Sequence, residues 1–128
     1  MYSVKLPGRN IIDVVPFGIS ETPPVHRRQM IKGVWKDITK NDFVVLWGGG
    51  IWNWFDPLTL IKAMALLGKK QKNIKLVFIC SQHPNKDNPS HRMTEKALKL
   101  SKTLQLYDKN VYFYSDWVPY QERENYLL

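Results

Sequence analysis

Three short clusters in this sequence combine residue types and spacings that chemistry uses. The first is Gly48-Gly49-Gly50, which closes the apolar run Phe43-Val44-Val45-Leu46-Trp47 and leads into Ile51-Trp52-Asn53-Trp54-Phe55. Glycines directly after a buried strand let backbone N–H groups come close to a phosphate or a sugar. Two tryptophans just beyond them offer faces on which a sugar ring or a base can stack. The second cluster is Ser81-Gln82-His83-Pro84-Asn85 and the third is Asp116-Trp117-Val118-Pro119; each follows another apolar run. Every cluster has a plainer reading as well. Three glycines after a strand serve equally as a tight turn, loop aromatics often pack under their own domain, and a lone histidine is more often a hydrogen-bonded surface residue than a catalyst. His26 and His91, in polar stretches, are weaker candidates than His83.

Several chemistries are excluded by what is missing. Cys80 and three scattered histidines give no metal-ligand spacing, so no metal is expected. The glycines do not follow the G-x-G-x-x-G pattern, and no acidic residue stands at the ribose-binding distance, which rules out a dinucleotide fingerprint. Neither a P-loop nor a G-x-S-x-G elbow is present. One cysteine cannot form an intramolecular disulfide, and the expected compartment is the cytoplasm. No segment approaches the ~18 uninterrupted apolar residues of a membrane span. Met1-Tyr2-Ser3-Val4-Lys5-Leu6-Pro7-Gly8 lacks the apolar core of a signal peptide.

The elements that must position these clusters follow from pattern. The chain has 128 residues, 44% of them hydrophobic and 12% aromatic, a globular composition of single-domain size. Residues 10–16 read as a short strand ending at a Pro-Phe-Gly turn, and residues 20–40 as a polar, proline-bearing linker ahead of a domain that begins near residue 41. Residues 43–47, 74–80 and 111–114 are apolar at nearly every position, as strands covered on both faces require. Asp56-Pro57 announces a helix over 57–68, with Asp as N-cap, Pro at the first position and Gly68 as the stop. Ser90 caps a second helix over 91–105, whose Met93, Ala97, Leu100 and Leu104 fall on one face. Pro119 opens a last helix over 120–128.

Strands alternating with helices predict an α/β fold, a partial Rossmann-like parallel sheet with strand order 3-2-1. Both crossover helices then lie on one face of the sheet. The second face is expected to be bare and strand 43–47 to be an unpaired edge, so the chain is expected to self-associate or to draw its own N-terminal strand over the gap.

The charge balance is 19 Lys+Arg against 11 Asp+Glu, a net of +8. Such a balance invites nucleic acid or an acidic membrane surface as partner. Placement argues for a solvated surface instead. Lys96, Lys99 and Lys102 recur at helical spacing, and Lys69, Lys70, Lys72 and Lys75 crowd one helix-to-strand connection. No nucleic-acid partner is expected, and a basic Rossmann-like module for nucleic acid or anionic lipid stands as the alternative function.

Taken together, Val14-Val15-Pro16-Phe17-Gly18-Ile19, the run from Val44 through Gly48-Gly49-Gly50-Ile51-Trp52 and Asp56-Pro57-Leu58-Thr59-Leu60-Ile61 to Ala63, His83-Pro84-Asn85, and Ser115-Asp116-Trp117-Val118-Pro119-Tyr120 resemble bacterial group 1 glycosyltransferases of the GT-B fold. The resemblance spans residues 10–128 and matches the interdomain linker, residues 1–40 here, and the first half of the C-terminal donor-binding domain, residues 41–128. It implies transfer of a sugar from a nucleotide-diphosphate sugar to a glycan or lipid-linked acceptor, as in polysaccharide biosynthesis. No cofactor and no metal are implied, and the compartment is cytoplasmic, with the whole protein peripheral at the membrane. It places Gly49, Gly50 and Ile51 at the sugar diphosphate, His83 beside it, and Trp117, Val118 and Pro119 along the nucleotide base; Trp52, just beyond the glycines, joins the donor-binding residues as a stacking face. Where many relatives carry an Arg and a Lys against the diphosphate, this chain has Gly50 and Phe55, so cations must come from elsewhere. The family's Glu-x7-Glu motif would fall beyond Leu128 and the acceptor domain before residue 10. The resemblance therefore implies a fragment that lacks turnover, binds donor weakly or undetectably, and works with the missing N-terminal and C-terminal parts of the same protein.

Overall fold

The computed structural model describes residues 14–35, 37–79, 81, 85 and 92–128. Residues 10–13 of the first expected strand, together with Cys80, His83, Ser90 and His91, lie outside the described residues. Val14, Val15 and Pro16 are exposed and form no strand.

Three strands, β1 (Phe43–Trp47), β2 (Ile74–Phe78) and β3 (Val111–Phe113), form an open parallel sheet in the order β1-β2-β3. Val45 pairs with Leu76 and Trp47 with Phe78; Leu76 in turn pairs with Val111, and Phe78 with Phe113. This register sets the two faces, because side chains alternate along a strand. Leu76, Phe78 and Val111, with Val45, Trp47 and Phe113 packed on them, meet helices α1 (Pro57–Lys70) and α2 (Arg92–Thr103) through Ile61, Met64 and Ala97. Both crossover helices thus share one face, as the pattern predicts. Phe78 stacks on Phe113 with ring centroids 4.9 Å apart and tilts against Trp47 at 5.5 Å, an aromatic row running across all three strands.

The opposite face is covered, which corrects the expectation of a bare one. Val77, Ile79 and Tyr112 form a second core with Ile31, Ile38, Val118 and Tyr126, and Met30, Trp35, Val44, Leu46 and Tyr114 pack around it. The cover comes from the polar stretch before β1 and from the C-terminal helix α3 (Arg123–Leu127). Trp35 stacks on Tyr114 with centroids 5.3 Å apart. The stretch is folded on itself by Gly33 N–H donating to Ile38 O at 2.8 Å, with Gly33 at φ 72, a left-handed conformation that suits glycine. It is then clamped to α3. Asn125 Oδ1 accepts from the backbone N–H of Arg27 and of Arg28 at 2.8 and 3.2 Å, Glu124 accepts from Val25 N–H, and Arg28 pairs with Glu122 at 2.8 Å. Burying Ile31, Trp35 and Ile38 removes apolar surface from water on both partners, so the strap and the sheet face stabilise each other.

Three helix ends differ from expectation, and one of them is the C-terminus of α2, which stops at Thr103 rather than 105. α1 runs two residues past Gly68 and ends where Gln71 turns extended, its N–H still bonded to Leu67 O. Gly68 instead sits inside the helix facing Asn110, whose side-chain amide bonds Ile74 O. The last helix begins as a 3-10 turn, Tyr120–Glu122, before α3.

Candidate functional site at the carboxyl edge of the sheet

Parallel strands bring their carboxyl ends to one edge. The loop after β1 and the loop after β3 therefore flank the end of β2, the usual ligand side of an open α/β sheet. Within the first loop the residues divide by depth. Ile51 is 1% exposed and belongs to the helix-side core, and its carbonyl accepts from the Thr94 hydroxyl at 3.3 Å. Gly50 O accepts from the Trp47 indole N–H at 3.3 Å, a bond that fixes the turn. Gly49 faces open space, with nothing within 4 Å of where a Cβ would stand. Gly48 is tighter, since its Cβ would come within 3.2 Å of Leu127 Cδ2.

Beyond Ile51 the chain turns outward. Trp52 and Trp54 stack at 5.2 Å with ring planes 9° apart, Trp54 is 73% exposed, and Phe55 packs edge-on against Trp47 at 5.7 Å. The ladder Trp47, Phe55, Trp54, Trp52 ties this outer surface to the core. Asn53, between the two indoles, accepts from Met93 N–H at 3.1 Å and pins the loop to the start of α2. Arg92, exposed at the first position of α2, thereby stands beside this loop in the chain.

In the second loop Trp117 is 53% exposed, Pro119 is exposed and Val118 is buried in the strap-side core. Of the predicted donor-binding residues, Gly49, Gly50, Trp52, Trp117 and Pro119 thus lie on the loops of one edge. The side chains of Ile51 and Val118 turn into the two cores, and His83 lies outside the described residues. Both inward residues are the aliphatic members of otherwise polar, glycine-bearing or aromatic loops, and that contrast was the available signal. The bracing roles of Asn53 and Thr94, which hold the loop in place, are not legible in the sequence because their partners lie 40 or more residues away.

The helix starts at this edge are already occupied. Asp56 Oδ1 caps α1 by accepting from Thr59 N–H at 3.1 Å, and hydrogen bonds from Thr59 hold its carboxyl below the ordinary aspartate value. The Asp56 charge at the first turn opposes a second anion there. At this edge the backbone at Gly49 is open, and no side chain would crowd a Cβ there. Among the described residues no group of three or more His, Cys, Asp and Glu is arranged to hold a metal ion. Searches against protein families, curated proteins and solved structures returned no match for this chain.

A separate groove of about 340 Å³ lies on the strap side, lined by His26, Lys32, Val44, Leu46, Tyr126 and Leu128 among others. Val44 and Leu46 of β1 contribute to it, and none of the predicted donor-binding residues lines it.

Proposed function

We propose that this chain is the donor-binding part of a GT-B glycosyltransferase and holds a nucleotide-diphosphate sugar at the carboxyl edge of its parallel sheet. The observation that carries the reading is one loop offering two complementary surfaces: backbone with open space at Gly49, and the exposed indole face of Trp54 braced by Trp52. A diphosphate is recognised by N–H groups that can be approached closely, which a side chain at Gly49 would prevent. A pyranose or base presents an apolar face that an indole matches. The leaving nucleoside diphosphate gains negative charge in the transition state, so positioned donors and a cation favour it; Arg92 is the cation that chain placement sets beside the loop. Trp117 and Pro119 border the same edge from the β3 side and fit the nucleotide base. The parent enzyme would pass the sugar to a glycan or lipid-linked acceptor bound by residues outside this sheet, and catalytic groups are assigned to none of the described residues.

Tryptophan fluorescence titrated with uridine-, guanosine-, adenosine- and thymidine-diphosphate sugars tests the reading. At least one donor class should give a saturable change with a dissociation constant of about 1 mM, weakened roughly ten-fold in Trp54→Ala. A flat response to all four classes, or a saturable response identical in Trp54→Ala, would overturn it.

A further inference from the structure

The net charge of +8 is not spread over the molecule. On α1, Lys62, Lys69 and Lys70 are exposed; on α2, Arg92, Lys96, Lys99 and Lys102 are exposed. Against these seven cations the two helices carry one acid, Glu95, so 26 residues hold a net +6. The two helices pack side by side on one face of the sheet, and their exposed arcs look away from it in the same direction. Asp56, just before α1, caps that helix and lies close enough to Lys62 to feel its charge.

The face is not only basic. At about 100° per residue, Leu66 falls in the middle of α1's solvent arc, with Lys62 and Lys69 on one shoulder and Lys70 on the other. Leu66 is 68% exposed and Leu67 42% exposed. Leu66 and Leu67 thus set exposed aliphatic surface among lysines, a combination that matches an anionic interface with an apolar layer beneath it.

We propose that the outer face of α1 and α2 docks on an anionic phospholipid surface, with Leu66 and Leu67 entering the headgroup boundary and the lysines meeting lipid phosphates. Charge complementarity commits the face to an anionic partner. The layer shape and the central leucines commit it to a bilayer over a nucleic acid: two helices side by side present a broad face, and six of the seven cations are lysines, point charges without the planar fork suited to base edges. Docked in this way, the sheet lies parallel to the membrane, and its carboxyl edge opens along the headgroup layer.

Co-sedimentation of the full chain with vesicles of phosphatidylcholine containing about one-third phosphatidylglycerol, against phosphatidylcholine alone, tests this at low salt. Binding should require the anionic lipid. It should fall about five-fold per lysine reversed, so Lys69→Glu with Lys70→Glu and, separately, Lys96→Glu with Lys99→Glu should each lose more than ten-fold. Leu66→Ser should lose about five-fold while keeping its salt dependence. All these positions are exposed, and unchanged circular dichroism confirms folding of each variant. Absence of binding to the anionic vesicles, or binding that either charge-reversed pair leaves intact, would overturn the proposal. So would tighter binding to duplex DNA or RNA that Leu66→Ser does not change. Donor binding at the carboxyl edge is measured without lipid, so failure of either proposal is seen separately from the other.

Discussion

At the scale of single residues, what distinguishes this chain is which side chains its loops turn outward. The sequence marks the glycines and aromatics after the first strand plainly, because that composition is uncommon in a loop. It does not show that Ile51 and Val118 turn inward, since depth within a loop depends on the core beneath it. Two tyrosines show the same dependence. Burial pushes the Tyr112 phenol up to about 12, and the acids Asp37, Asp42 and Asp108 add to it; Tyr126 is likewise pushed up to about 12 by burial and by its hydrogen bond with Tyr114. An unfolded tyrosine ionises near ~10. The folded state therefore keeps protons that the unfolded chain loses, and the stability these phenols contribute is complete below pH ~10 and is lost as pH rises toward ~12. Urea midpoints measured from pH 8 to pH 11.5 should fall steeply above pH 10, and the fall should be smaller in Tyr112→Phe; equal slopes would refute this origin.

At the scale of elements, the legible parts are those whose signals are local. β1 forms over the residues its apolar run marks, and α1 begins where Asp56-Pro57 places it, because an N-cap oxygen and a fixed proline φ act within one turn. The polar composition of the strap reads as a linker. Its spacing says more: Ile31, Trp35 and Ile38 recur every three or four residues, a one-sided pattern that a folded-back segment buries. Truncating Ile38 to Ala should cost about 2–4 kcal/mol in denaturant unfolding, as expected for a fully buried aliphatic, whereas a linker residue would cost almost nothing. Asn125 is the polar counterpart. It is buried and serves Arg27, Arg28 and Glu122 at once, so Asn125→Ala should cost about 1–3 kcal/mol and speed hydrogen exchange at the amides of Arg27 and Arg28. The Arg28 and Asn125 hydrogen bonds hold Glu122 below the ordinary glutamate value, so the clamp is present above that ordinary value and weakens as pH falls through the lowered one. Glu122→Gln should therefore flatten the acid limb of the stability profile, weakly, since the pair is solvent-screened.

At the scale of the whole molecule, alternation of strand and helix is enough to infer a small parallel sheet with its helices on one face, because a parallel connection needs a crossover. Coverage of the second face could not be inferred from that alternation, since it depends on long-range contacts between residues 25–38 and α3. Among the described residues no helix is long and apolar enough to cross a membrane. The charge, which along the chain reads as scattered solvated lysines, gathers in space on the layer formed by α1 and α2, with a net +6 over the two helices. Arg92 belongs to both proposed surfaces, whereas Lys69, Lys70, Lys96 and Lys99 on the helices and Gly49 and Trp54 on the loop after β1 belong to one each, so variants at those positions test the two proposals separately.

Donor binding at the Gly49 loop, as proposed, is read out residue by residue in an amide-resolved NMR titration of the wild type beside Gly49→Val. Because nothing lies within 4 Å of a Cβ at Gly49 and its backbone is not left-handed, the valine should leave the fold and its melting temperature unchanged. Donor-dependent shifts are expected at residues 48–55 and 114–119 in the wild type and should be lost in the variant. Donor shifts that persist in Gly49→Val, or that appear only away from these two loops, would contradict it.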